Sequence, residues 1–250
     1  MQLKHIALLS LGFLFTVSTK AQLKKGMKMA GATVASAFIN SGKSDYSFPA
    51  PITGYTSNAN SSGLLINPMM GWFILDNTAA GALFNLSYNY RKNFNESNGT
   101  TFYRDITKIF NFGIGAFVRN YFKNSGNLMP FGQFSFNFGI GSSSQEGFRY
   151  VSSTSPIYKD TYKGKSSGDF YTNASISFGA TKMLNANVGL DIFAAYNFSY
   201  NKNTFKTTTQ RDLDNNGSID QTLVSEPTLK YTSNGATVGI GFQIFLDKKK

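Results

Sequence analysis

The sequence predicts an all-β fold in which eight antiparallel strands form a transmembrane β-barrel. Three observations predict it: apolar and polar residues alternate in eight stretches, short and long links alternate between them, and only 15% of the residues are charged. Gly, Ser, Asn, Thr, Phe and Tyr are abundant, which favours strands and turns. Because successive side chains of a strand point to opposite faces, each stretch has one apolar and one polar face.

The fifth stretch, residues 131–144, shows the pattern most clearly and reads FGQFSFNFGIGSSS. Its apolar face consists of Phe134, Phe136, Phe138 and Ile140. The opposite face carries Gln, Ser, Asn and Gly, with no charged residue. Such a strand suits a position between lipid on the outside and a narrow polar lumen on the inside.

The first four stretches are predicted at 27–40, 63–75, 79–91 and 107–122. In the first, the apolar row is mostly small residues, so its faces are the least distinct. The next three have clear apolar rows, which include Trp72, Phe84 and Phe112 respectively. Their opposite faces carry Asn, Ser and Gly. Each therefore repeats the pattern of the fifth stretch.

The last three stretches are predicted at 169–182, 187–200 and 231–246. Their apolar rows contain Ile176, Ile192 and Ile240, and their opposite faces again carry mainly small polar residues. Pro68 and Pro130 lie inside or at the start of stretches, where we expect strand ends or bulges because proline donates no ladder hydrogen bond.

The links between stretches alternate in length. Three are short turns, at residues 76–78, 123–127 and 184–186. Four are predicted as long loops, at about 41–62, 92–106, 145–168 and 201–230. Three short and four long links fit eight antiparallel strands with both chain ends on one side. Barrels of the outer membrane have short periplasmic turns, long external loops and an even strand number, and closure leaves no unpaired edge in lipid.

The segment 66–88, INPMMGWFILDNTAAGALFNLSY, resembles the second hairpin of small outer-membrane β-barrel proteins of Gram-negative bacteria. The residues that match the hairpin pattern are Pro68, Gly71, Trp72, Asp76, Asn77 and Gly81. The overall layout is similar to that of the OmpA transmembrane domain and OmpX. The resemblance implies an eight-stranded barrel in the outer membrane, with external loops on one side.

The N-terminal residues 1–21 predict an export signal that is removed. Lys4 supplies a positive start, 6–17 an apolar core, and 19–21 a small-x-small cleavage site. The apolar core is shorter than the roughly 20 residues of a spanning helix, and no later segment offers 18 consecutive apolar residues. Residues 22–250 then form one outer-membrane barrel domain, and we expect the protein in the Gram-negative outer membrane.

The composition argues against catalytic activity and against nucleic-acid binding. The formal net charge is +11, but the basic residues are scattered, so we expect contact with lipid phosphate or polyanionic glycans rather than nucleic acid. His5 is the only histidine and lies in the predicted signal, and the chain has no cysteine. A Ser-His site or a His/Cys zinc site therefore cannot be built, and we expect no catalytic residues.

Residues 211–221 read RDLDNNGSIDQ, and the nine residues 212–220 resemble the first nine positions of a calcium loop. Oxygen-bearing side chains recur at alternate positions around Gly217, where such loops turn sharply. The candidate ligands are Asp212, Asp214, Asn216, Ser218 and Asp220. The acid expected at the twelfth position is replaced by Leu223. An ordinary Asx-rich surface loop is the alternative, so Ca²⁺ is a possible cofactor only of this loop.

Two charged residues face the lumen by parity. Arg119 of the fourth stretch and Asp191 of the seventh both fall near the short-turn end. We expect them to form an interior ion pair that plugs the barrel. The alternative is that Asn, Ser and water satisfy each separately.

These observations predict a non-enzymatic outer-membrane protein that is structural or binds through its external loops. Its expected partners are the lipid bilayer, lipopolysaccharide, the barrel-assembly machinery and an extracellular ligand. A narrow channel or transporter for small solutes is the first alternative, because the lumen is polar. A water-soluble lipocalin-like binder of apolar ligands is the second, and it requires the Phe rows to point inward.

Overall fold

The computed structural model describes residues 23–47, 54–122, 127–151 and 158–246, apart from the side chains of Ala35, Ser36 and Ser167. The predicted export signal lies outside the described residues. No helix among the residues described is long and apolar enough to cross a membrane.

The described residues form an all-β fold. Its strands are β1 (Lys28–Tyr46), β2 (Tyr55–Leu75), β3 (Thr78–Ser97), β4 (Thr100–Tyr121), β5 (Leu128–Val151), β6 (Tyr158–Met183), β7 (Val188–Asp212), β8 (Gln221–Ser225) and β9 (Thr228–Leu246). Every pairing is antiparallel, and the strands follow one another around a ring in which β7 meets β9 and β9 meets β1.

The short strand β8 is the outer continuation of β9. It pairs with β7 from Thr207 to Arg211, and β9 pairs with β7 from Thr204 inward, in the same register. Only Glu226 and Pro227 separate the two, because proline has no N–H for the ladder. The ring therefore contains eight strands, and the predicted eight-stranded antiparallel barrel is confirmed.

The prediction of four long external loops, at about 41–62, 92–106, 145–168 and 201–230, is wrong. Most of these residues continue the strands, and the connections shrink to 47–54, Asn98–Gly99, 152–157 and 213–220, plus the break at 226–227. The alternation of apolar and polar residues disappears in these segments because both faces of a strand outside lipid contact water. Strand pairing nevertheless continues there, and the hairpins β3–β4, β5–β6 and β6–β7 extend far beyond the apolar band.

The apolar rows face outward, as the sequence predicts. Phe134, Phe136, Phe138 and Ile140 are all exposed, and Ser135 and Asn137 between them are buried. Comparable exposed rows occur on β3, β4, β6, β7 and β9. The lipocalin-like alternative required the reverse orientation, and the structure excludes it.

The barrel is closed between β1 and β9 only near the short-turn end. These strands pair from Lys28 to Val34, opposite Ile240–Leu246. Beyond this point their edges pair with no other strand among the described residues, although β1 stays paired with β2 and β9 with β7. Ile39 and Val238, beside this seam, are 89% and 73% exposed, because neither has a neighbouring strand on that side.

The interior at the short-turn end is apolar rather than polar. Its buried side chains include Met29, Phe73, Tyr121, Phe131 and Phe245. The segment that precedes β1 closes it from below: Leu23 is 1% exposed, and the N–H of Gly26 donates to the carbonyl oxygen of Phe73 at 2.8 Å. We call this apolar cluster the floor of the barrel. The expectation of a uniformly polar lumen is therefore wrong for this level.

Candidate functional site

A buried ion pair lies directly on the floor. Nη1 of Arg119 donates to Oδ2 of Asp191 at 2.7 Å, and the two side chains are 1% and 0% exposed. Arg119 on β4 and Asp191 on β7 reach each other across the lumen, because both occupy the inward parity near the short turns. The structure thus brings together the two charged residues that parity placed in the interior.

Neighbouring polar groups complete the hydrogen bonding of this pair. Asp191 accepts from Oγ1 of Thr181 at 2.6 Å and from Nε2 of Gln243 at 3.0 Å. Nε of Arg119 donates to Oε1 of Gln133 at 2.7 Å, and the guanidinium carbon lies 4.0 Å from the ring centroid of Phe131. Buried charges are tolerated when they are paired and hydrogen-bonded in this way. The lumen is therefore blocked by a polar layer on top of an apolar one.

Above the ion pair lies a polar chamber of about 370 Å³. It extends from Arg119 and Phe131 at the floor to Asn89 and Asn201 toward the long-strand end. Eight asparagines and five serines contribute to its wall, and Arg119 is the only charged residue among the described lining side chains. The chamber is consequently polar but nearly neutral, since the charge of Arg119 is balanced by Asp191.

One tyrosine crosses the chamber. The hydroxyl of Tyr171 on β6 donates to Oδ1 of Asn85 on β3 at 2.9 Å, and Nδ2 of Asn85 donates to Oδ1 of Asn67 at 2.8 Å. The ring fits because Gly113 and Gly139 have no side chain; a Cβ at either position would collide with it. Tyr171 therefore places an aromatic ring and a polar chain across the lumen.

A second charged cluster lies near the outer end of the barrel. Asp160 is fully buried and accepts hydrogen bonds from Arg149 at 3.2 Å and from Arg211 at 2.8 Å. Burial alone would raise the pKa of Asp160, but the hydrogen bonds from Arg211 and Arg149 outweigh it and hold the pKa below its usual value. Because the three residues belong to β5, β6 and β7, they join these strands where no lipid surrounds them.

The candidate calcium loop connects β7 to β8. One carboxylate oxygen from each of Asp212, Asp214 and Asp220 lies within 4.8 Å of the others. The carboxylate of Asp212 accepts the N–H groups of Asn216 and Gly217 at 3.1 and 2.8 Å. These bonds are also those of an ordinary Asx-rich turn.

Asn216, a fourth candidate, makes hydrogen bonds within the loop. The amide of Asn216 donates to Asp214 at 2.7 Å, and its oxygen accepts the N–H of Ser218 at 2.7 Å. The loop thus gathers three of the five candidate ligands, and its occupation by Ca²⁺ stays a prediction.

The apolar floor and the chamber were missed by the sequence reasoning, although a signal for the floor was present. On the inward parity, large apolar residues are concentrated beside the short turns, as at Met69, Phe73, Phe117, Met129 and Phe245. The contact between Tyr171 and Asn85 has no comparable signal in the sequence, because it depends on how the eight strands curve around the lumen.

An eight-stranded antiparallel ring with an apolar exterior and a polar interior defines the chain as a β-barrel of the transmembrane type. No protein-family model matches the chain, and no curated protein matches it.

The solved structures similar to the chain include outer-membrane barrels. The outer membrane protein OprG from Pseudomonas aeruginosa is 12% identical, with a TM-score of 0.39, and the match covers 90% of this chain and 98% of that chain. The β domain of the Bordetella autotransporter BrkA is 9% identical, with a TM-score of 0.23 and coverage of 90% and 100%. The strand pairing and the exposed apolar rows of this chain themselves define its class.

Proposed function

We propose that the protein is a non-enzymatic outer-membrane barrel that conducts no solutes and acts at the cell surface through its extended hairpins. The observation that carries this proposal is the closed floor. Arg119 and Asp191 fill the lumen beside the short turns, and the aromatic side chains of Phe73, Tyr121 and Phe245 lie within 6.1 to 6.3 Å of one another, centroid to centroid. A solute would have to displace both layers to pass.

A row of lysines supports the placement in an outer membrane. Lys108 on β4 is joined through Ser144 to Lys165 on β6, which pairs with Lys206 on β7. Lys202 and Lys230 pair with each other on β7 and β9. All five lysines are exposed and lie just beyond the apolar rows. We call them the lysine belt; lysines at this height can bind phosphate groups of lipopolysaccharide.

The sequence supports a non-enzymatic role. The predicted mature chain contains neither histidine nor cysteine, which are the usual bases and nucleophiles of acyl transfer and hydrolysis. The extended hairpins instead offer a rigid exposed scaffold, and binding residues are commonly held on such scaffolds. The further partners in this proposal are an extracellular ligand and, during biogenesis, the barrel-assembly machinery.

A channel for small solutes is the competing function, and single-channel recording separates the two. The refolded wild-type barrel in planar bilayers should give no stepwise conductance. A variant that opens both layers, with Phe73→Ala, Phe117→Ala and Phe245→Ala in the floor and Arg119→Ala and Asp191→Ala in the ion pair, should conduct and so prove that insertion occurs. Wild-type steps as large and as frequent as those of this variant would contradict the proposal.

The surface role is tested with trimmed hairpins. Replacing residues 145–164 by a two-residue Asn-Gly turn removes the outer part of β5–β6 and leaves the apolar rows intact. Cells that display the wild-type chain should bind one member of a panel of matrix, glycan and lipopolysaccharide surfaces, and the trimmed variant should lose that binding. Trimming residues 93–105 of β3–β4 in the same way, which leaves the pair Lys92–Ile106 at the new turn, is the matched comparison. Equal binding by wild-type, both trimmed variants and empty cells would refute the surface role.

A further inference from the structure

The chamber above the floor has the composition of a ligand site rather than of a passage. It is blind at the floor, and its volume of about 370 Å³ falls within the range of about 300–1,000 Å³ of small-molecule pockets. Its wall is made mainly of amides and hydroxyls, with aromatic rings from Tyr171, Phe131 and Phe193. We propose that this chamber binds a neutral carbohydrate the size of a mono- or disaccharide.

The near absence of charge selects a neutral ligand. Arg119 is the one charged side chain in the described lining, and its guanidinium is already hydrogen-bonded to Asp191, Gln133 and Tyr121. A carboxylate or ammonium group in the chamber would lose its hydration and find no opposite charge in exchange. Charged sugars of the same size should therefore bind much more weakly.

The amides of the wall retain capacity for further hydrogen bonds. Asn173 donates to Ser199 at 2.8 Å, and Asn197 donates to Thr237 at 3.1 Å. An amide has two N–H donors and a carbonyl acceptor, so each keeps groups for another partner. Oδ1 of Asn137, which is 5% exposed, has no hydrogen-bond partner among the described residues. A sugar hydroxyl can donate and accept at once, which suits such a wall.

Aromatic rings supply the remaining element. The ring of Tyr171 crosses the chamber, and the ring of Phe193 contributes to its wall. The face of an aromatic ring is electron-rich and attracts the weakly positive C–H groups of a sugar ring. The seam between β1 and β9 begins beyond the pair Val34–Ile240. The lining residues Leu65 and Thr237 lie beside it, so the chamber can be reached through this unpaired part of the wall.

Equilibrium dialysis of the full-length barrel in detergent micelles tests the proposal. The probes are radiolabelled glucose and maltose, with glucosamine and glucuronate as charged counterparts. We expect saturable binding of at least one neutral sugar and at least tenfold weaker binding of both charged ones. Saturable binding confined to a charged sugar, or no saturable binding of any probe, would overturn the proposal.

Two chamber variants and a control locate the binding. Asn137→Leu replaces a wall amide by an apolar side chain of similar size. Ser175→Leu places a larger side chain in the chamber from the neighbouring strand. Each should weaken binding about tenfold, the effect of losing one or two hydrogen bonds. Asn234→Leu, on the exposed outer part of β9, should leave it unchanged. Heat-dependent mobility in SDS electrophoresis verifies folding of each variant. Wild-type affinity in both folded chamber variants would refute the chamber as the site.

Discussion

The replacement Asp191→Asn should destabilise the barrel more than any single change at its surface. The substitution leaves the Arg119 guanidinium charged, 1% exposed and without its counter-ion at 2.7 Å. At an effective dielectric constant of about 20, two unit charges at this separation attract each other by about 6 kcal/mol. Gln133 and Tyr121 remain as partners of Arg119 and compensate part of the loss. We therefore expect the free energy of unfolding to fall by about 3–5 kcal/mol, as when other buried pairs lose one member.

Urea unfolding from phospholipid vesicles measures this change. Trp72 is the only tryptophan and is exposed on the apolar exterior, so its fluorescence should shift to the red when the chain leaves lipid. The double variant Arg119→Gln/Asp191→Asn removes both charges and keeps polar partners for Gln133, Thr181 and Gln243. It should recover much of the lost stability.

The surface pair Lys43–Asp45 provides the matched control. Its atoms lie 3.5 Å apart, and both side chains are more than 60% exposed. Asp45→Asn should have little effect, because water screens such pairs. The reasoning is refuted if Asp191→Asn costs less than about 1 kcal/mol, below the range for buried pairs, or if the double variant is no more stable than the single one.

Three further predictions concern the outer part of the barrel. Calcium at millimolar concentration should protect residues 213–219 from proteolysis in the wild type and not in Asp214→Asn; equal cleavage with Ca²⁺ and with chelator would remove the calcium hypothesis. Because the folded-state pKa of Asp160 is lowered, its stabilisation is present above the unfolded value of about 3.9 and is lost as pH falls through the lower folded value. Proteolysis of the β5–β6–β7 tips should therefore rise only below about pH 4, whereas Asp160→Asn should be cleaved at neutral pH as well; a wild type equally resistant at pH 3 and pH 7 would contradict this. Finally, about half of the amides of residues 37–46 should exchange rapidly with D₂O because the β9 side of β1 is unpaired, and slow exchange of the whole segment would show that the seam is closed.

The apolar rows were predictable because lipid imposes one strict requirement on every outward position. A residue such as Phe136 must be apolar whichever strand it belongs to, so the alternation is visible in the sequence. Outside lipid the requirement disappears. Lys163 and Thr208 are paired strand residues, yet nothing in their local sequence distinguishes them from a loop, and the strands were therefore predicted too short.

The interior was predictable only in part, for a related reason. Parity identifies Arg119 and Asp191 as inward-facing, and their rarity as charged residues makes them conspicuous. Which inward residues touch depends on the stagger of the strands around the ring, which no single strand encodes. The contact of Tyr171 with Asn85 depends on this stagger, and the seam begins where the register of β1 against β2 is irregular, between Val34 and Ser36.

The central claim is that the Phe row of β5 faces lipid while the alternate residues line a closed interior. Because the chain has no native cysteine, single spin labels can be attached at each position from 134 to 140 of the barrel in lipid vesicles. Oxygen, which concentrates in the bilayer, should relax the labels at positions 134, 136, 138 and 140 strongly and those at 135, 137 and 139 weakly. A profile without this period of two, or one with the odd positions more accessible to oxygen, would contradict the account.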